Sequence, residues 1–153
     1  MMPDDARAIE NLILSYAECL DAGDLEGVAR ILADATIGVE GMPEGLRGRE
    51  KILGLLQATI RLHEDGTPRT KHVTTNILVE VDETAATATA RSYFTVLQAA
   101  TGLGLQTIVA GRYRDRFARG EDGWRFVERR FLTDLVGDVS RHLLAGPEIL
   151  GGS

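Results

Sequence analysis

The stretch RTKHVTTNILVEV, residues 69–81, decides how this chain is read. It is apolar and β-branched, as a strand should be, yet a histidine and an asparagine sit inside it. Side chains alternate along a strand, so Val73, Thr75, Ile77, Val79 and Val81 are expected on one face. His72, Thr74, Asn76, Leu78 and Glu80 then share the other. A mixed face opposite an apolar one is either solvated or the wall of a polar cavity.

Downstream the period of two continues. AATATARSYFTVLQ (85–98), LQTIVAGRYRDRFAR (105–119) and GWRFVERRFLTDL (123–135) read as three more long strands, separated by the turn formers DET, ATGLG and GEDG. Successive antiparallel hairpins follow from that spacing, and strands of this length in a twisted sheet curl around something. The tail from Val136 is expected to add a short helix before it frays.

Upstream the period is helical. Ile9, Leu12, Ile13, Tyr16, Ala17 and Leu20 form one apolar stripe, with Asp4 or Asp5 as N-cap and a stop near Gly23. Asp24 caps a second helix that turns Leu25, Val28, Ala29, Ile31 and Leu32 inward. After a short β segment, ATIGVE (35–40), and the loop GMPEGLRG (41–48), helical spacing resumes from Arg49 to His63. The result is an α+β layout: three N-terminal helices on one face of a curved, mixed but mainly antiparallel sheet. The other face, with Val73, Ile77, Val79 and Val81, needs a cover of its own, and a second copy of the chain related by a two-fold axis is the simplest one.

Composition limits the function classes. The 153 residues, 44% apolar and 26% charged, suit one domain spanning 1–153. A net charge of -6 argues against a nucleic-acid partner, which calls for a clustered basic surface. Cys19 is the only cysteine, so no intramolecular disulfide is possible, and it has no evident activator. No basic-then-apolar leader and no membrane-length apolar run is present, so a cytoplasmic, non-membrane protein is expected. His63, His72 and His142 show no metal-ligand spacing, and neither metal nor cofactor is expected.

Three segments, YAECLDAGDLEGVARILADATIGVEG, TKHVTTNILVEVDETAATATARSYFTV and AGRYRDRFARGEDGWRFVERR, together resemble the SnoaL-like branch of the nuclear transport factor 2-like superfamily, over roughly residues 7–134. The resemblance implies a cone-shaped α+β fold that hosts dehydratases, isomerases, cyclases and non-catalytic subunits. It also implies a base dyad of the kind found in scytalone dehydratase and hexachlorocyclohexane dehydrochlorinase: Asp21 at the end of the first helix and His72 early in the first long strand. A carboxylate that accepts the Nδ1 proton fixes the tautomer and leaves Nε2 as base. Taken alone, His72 reads more readily as a satisfied strand histidine than as a base, and Asp21 can be read as part of a helix stop.

Around the dyad, Tyr16 is a candidate donor to substrate or a core residue. Asn76 either binds a substrate oxygen or caps a buried backbone group. Tyr93 is a further candidate contact, although its facing is open, as is that of Arg91, Arg112 and Arg129. The chain departs from scytalone dehydratase in having Leu20 where a tyrosine precedes the aspartate, and in lacking a histidine on the next strand. Two readings stand: a cofactor-independent lyase, such as a dehydratase, or isomerase acting on a small apolar cyclic or aromatic compound, or a non-catalytic ligand-binding or accessory subunit like a ring-hydroxylating dioxygenase β subunit.

Overall fold

A computed structural model describes residues 4–39 and 44–145. Its elements run α1 (Asp5–Asp21), α2 (Leu25–Ile31), β1 (Thr36–Val39), β2 (Leu46–Arg47), α3 (Arg49–Thr59), β3 (Thr70–Asp82), β4 (Thr87–Ala100), β5 (Leu103–Gly120) and β6 (Gly123–Val136). The three helices pack on one face of a curved, open six-stranded sheet of order β2-β1-β6-β5-β4-β3. All neighbours are antiparallel except β1 and β6.

The caps lie where the sequence puts them. Asp4 accepts from the Ala6 N–H at 3.1 Å and Asp24 from the Gly27 N–H at 2.9 Å. Each cap contributes about 1 kcal/mol, whereas burying Ile9 or Ile13 completely contributes about 2 kcal/mol apiece. Packing therefore decides where α1 lies. Its stripe of Ile9, Ile13, Tyr16 and Leu20 meets Phe94, Val96, Tyr113, Phe117 and Phe126 of the sheet in one core.

Three local expectations are corrected. Leu46–Arg47 pairs with β1 inside the stretch read as a loop. The third helix stops at Thr59 rather than His63, because the backbone beyond it bonds the C-terminal segment instead. Leu144 N–H donates to the Thr59 carbonyl and Arg61 N–H to that of His142, and Ile60 bridges Leu143. Residues 138–145 accordingly form turns and a bridge rather than a helix, and the rest of the tail on which a helix was expected, from 146 onward, lies outside the described residues.

The largest correction concerns β3. Thr75 pairs with Tyr93 but Leu78 with Arg91, so β3 spends three residues where β4 spends two. Asn76, at φ 54°, supplies the extra residue as a bulge. An extra residue inverts the alternation beyond it. His72 and Thr74 thus share the inner, helix-covered face with Ile77, Val79 and Val81, opposite the buried Val96, Phe94, Ala90 and Ala88. Of the four residues expected to make an apolar outer face, only Val73 lies there, 39% exposed.

The outer face instead carries a cross-strand row, Arg91 beside Arg114 beside Arg130. On the inner face β5 and β6 pair Asp115 with Arg129. Two bonds of 2.8 and 3.0 Å join them, and both side chains are completely buried. The guanidinium lies 3.7 Å from the Tyr113 ring centre and 4.4 Å from that of Tyr16. Aromatic faces thereby supply part of the solvation that burial removed.

The bulge makes a prediction that packing does not confound, because Asn76 is exposed. Asn76→Val, which forces a β-branched residue into left-handed backbone, is expected to cost about 1–2 kcal/mol. Asn76→Gly should be close to neutral in the same urea denaturation series. Equal losses in both would place the requirement in the asparagine side chain rather than in the backbone.

Candidate active site

Asp21 is the last residue of α1, where the helix dipole disfavours an anion. Its position is set by the turn that follows. Gly23 adopts φ 77°, and a Cβ there would lie 2.0 Å from the Gly66 carbonyl oxygen, so only glycine lets the helix end approach the loop that leads into β3. That approach delivers Asp21 to three donors. Thr70 Oγ1 and the His72 backbone N–H each donate at 2.8 Å, and His72 Nδ1 at 2.6 Å.

A carboxylate can only accept, so Nδ1 carries the ring proton and Nε2 is the free base position. Both side chains are largely buried, with 6% of His72 and 12% of Asp21 exposed. Burial works to raise the Asp21 pKa, but the bonds from the His72 ring, its positive charge when protonated, the His72 N–H and Thr70 outweigh it. The carboxyl is held below its ordinary value.

His72 lines a cavity of about 310 Å³ between the helices and the sheet. Its wall is mostly apolar, with Leu20, Ile37, Leu56 and Val96 among its residues. Among the described residues, Tyr16, Tyr113, Thr59, Thr133 and His142 are its other hydrogen-bonding side chains. Burial pushes both tyrosine pKa values up, that of Tyr113 well above the usual value, so both phenols keep their protons. A cavity of roughly 150 Å³ accommodates benzene. This one has room for a one- or two-ring compound.

The structure brings together Asp21, His72 and Tyr16 and leaves out two other candidates. Asn76 is the exposed bulge residue, outside the cavity. Tyr93 is 51% exposed, on the outer face beside Arg112. Arg112 itself holds Asp134 through two bonds of 2.9 Å, and Arg129 is the buried partner of Asp115. Among the described residues, no group of three or more His, Cys, Asp and Glu side chains could hold a metal ion. No helix among them is long and apolar enough to cross a membrane.

His142 is the residue that sequence reasoning missed. It comes from the segment after β6 and is 5% exposed, and its ring centre is 6.1 Å from that of His72. Seventy residues separate the two, so no spacing could connect them. The signal in the sequence was weak: Val139 and Leu143, four residues apart on either side of His142, are both buried.

The SnoaL-like domain family matches the chain over residues 3–130. A nuclear transport factor 2-like protein with a cystatin-like fold from Novosphingobium aromaticivorans is 26% identical, with a TM-score of 0.70 over 90% of this chain and 86% of that one. A candidate scytalone dehydratase from the same organism is 22% identical, with a TM-score of 0.67 over 86% and 85%. The β subunit of a candidate aromatic-ring-hydroxylating dioxygenase, also from that organism, is 19% identical, with a TM-score of 0.66 over 85% and 89%. No curated protein matches at significant similarity. The chain belongs to the SnoaL-like domain family, on a nuclear transport factor 2-like, cystatin-like fold.

Burial, and secondarily the neighbouring His72, lowers the His142 pKa to about 4. A histidine whose folded pKa is depressed leaves the unfolded chain holding more protons between that value and about 6.5. Stability is then whole above the upper limit and is lost as pH falls toward the lower one. The loss from this group should reach about 3 kcal/mol. Urea titrations across this range should show the slope, and His142→Phe should flatten it. The lowered Asp21 pKa adds a second loss only at more acid pH, as that carboxylate protonates.

Proposed function

We propose that the chain is a cofactor-independent lyase, of dehydratase type, or isomerase that removes a proton from a small, largely apolar cyclic or aromatic compound. The reading rests on one observation: a histidine held at 2.6 Å by a buried carboxylate borders a mostly apolar cavity. His72 Nε2 acts as base, and Asp21 fixes the tautomer and stabilises the imidazolium that forms. Low dielectric around the pair strengthens both effects. The likeness to a candidate scytalone dehydratase is in keeping with this chemistry.

The alternative is a non-catalytic ligand-binding or accessory subunit, which the likeness to a dioxygenase β subunit supports. A thermal-shift screen of aromatic and terpenoid compounds identifies ligands under either reading, because binding stabilises the native state by mass action. Turnover separates them. For a compound that is consumed, His72→Ala and Asp21→Asn should each lower the rate by about 10²–10⁴-fold while the fold is retained. A substrate consumed equally well by both variants would end the proton-abstraction reading, and bound ligands that are never consumed would favour the alternative.

We also propose that two copies associate through the outer sheet face. Arginines directly opposite one another, as Arg91, Arg114 and Arg130 are, destabilise a lone sheet. Glu80 and Glu128 lie one row away, on the Thr89 and Arg116 positions of the ladder. A two-fold operation would set these acids against the partner's arginines, with exposed Leu78, Tyr93 and Val73 adding apolar area. Light scattering should give the mass of a dimer at micromolar concentration, and Arg114→Glu should lower it. A monomeric mass for the unaltered chain would overturn this.

A further inference from the structure

A base that takes a proton from carbon needs somewhere for the electron pair to go. In a carbonyl compound the pair ends on the oxygen, and a site that stabilises this charge needs a fixed donor beside the base. Tyr16 and Tyr113 line the same cavity, but their rings are stacked on the Arg129 guanidinium. The polar side chain whose ring stands next to that of His72 is His142, at 6.1 Å and 63°.

His142 is held there by backbone rather than by its ring. Its carbonyl accepts from the Arg61 N–H at 2.8 Å, and the adjacent Arg141 carbonyl accepts from His63 Nε2 at 2.8 Å and Gln98 Nε2 at 3.0 Å. Buried Val139 and Leu143 anchor either side. The imidazole itself is unspent, for its Nδ1 is buried with no hydrogen-bond partner. That nitrogen is sealed from the cavity as well as unpartnered, so it is not itself the ligand contact; the ring borders the cavity elsewhere on its edge, where a neutral imidazole can present its one N–H to a ligand oxygen.

We propose that His142 is the oxyanion donor of this site, and that its ligands are ring compounds carrying a carbonyl group next to the atom that loses the proton. The proposal rests on the proton-abstraction reading and deepens it. His72 Nε2 takes the proton, the C–H electron pair moves through the framework onto the oxygen, and that oxygen accepts the N–H of neutral His142. The imidazolium of His72 then returns the proton, either to another carbon, which isomerises the compound, or to a departing hydroxyl, which leaves as water. No oxidant or co-reactant enters. Positive charge arriving on His72 discourages a second charge on the facing ring, so His142 remains a neutral donor, a role an imidazole can fill.

The test uses 4-nitrophenol, whose phenolate mimics an enolate in charge and size and is read by its absorbance, with naphthalene as a ring lacking oxygen. Near neutral pH the wild type should bind the phenol and draw it toward phenolate. His142→Phe should weaken phenolate binding by roughly ten- to hundredfold and leave naphthalene binding unchanged, which shows that the cavity is intact. His142→Gln, which keeps an N–H, should recover part of the loss. Unchanged phenolate binding in His142→Phe, a loss seen in Tyr16→Phe instead, or no binding of phenol by the wild type would each overturn the proposal. The dyad fails separately: if His72→Asn still draws the bound phenol to phenolate as the wild type does, the base is misassigned whatever His142 does.

Discussion

The arrangement hangs on one carboxylate. Asp21 sits at the wrong end of a helix for a negative charge, is largely buried, and is stabilised only because β3 sends it a hydroxyl, a backbone N–H and an imidazole N–H. Hydrogen bonds to a charged group contribute about 1.5–3 kcal/mol each, and three of them exceed the unfavourable dipole, which is worth about 1 kcal/mol or less. The same bonds tie α1 to the first long strand. They therefore set how far the helix layer stands from the sheet, and with it the cavity and the tautomer of the histidine beside it.

A second buried charge pair holds the far side of this space. Asp115 and Arg129 face each other across β5 and β6, fully enclosed and roofed by Tyr16 from α1. Burial alone would depress the Arg129 pKa, but the Asp115 charge and its hydrogen bonds more than reverse that, and the guanidinium stays protonated. A pair of this kind contributes little net stability against an apolar replacement, yet leaving either partner alone is expensive. Its effect is to fix register: only one alignment of the two strands brings the Arg129 Nε and Nη2 donors onto the Asp115 carboxylate. The Tyr16 and Tyr113 rings stacked on that guanidinium form part of the cavity wall.

The cavity is mostly apolar, while its hydrogen-bonding groups converge from separate parts of the fold. Asp21 reaches His72 from a helix end, Tyr16 belongs to the middle of the same helix, and His142 belongs to a segment strapped across residues 59–63. Only closure of the helices and the C-terminal segment over the sheet makes these groups neighbours.

Local pattern was enough for the elements. Helical period upstream, the change to a period of two near Thr70, and the caps at Asp4 and Asp24 are properties of consecutive residues, and they suffice for three helices and four long strands, though not for the end of the third helix, which stops at Thr59. Asp21 and His72 were legible through the resemblance of the segments CLDAGD and TKHVTTN, since each motif is short and local. The face to which a strand residue turns is different in kind. Asn76 inverts β3 because β4 offers one residue fewer across from it, so Ile77, Val79 and Val81 point inward and Tyr93 points away from the cavity. Arg129 finds Asp115 through cross-strand register, and His142 finds His72 across seventy residues of chain. Sequence alone determined the elements, because these depend on period and local motif, and resemblance pointed to Asp21 and His72; only the tertiary structure decided their contact, the facing of strand residues, ion pairing and the second histidine, because those depend on which segments lie opposite.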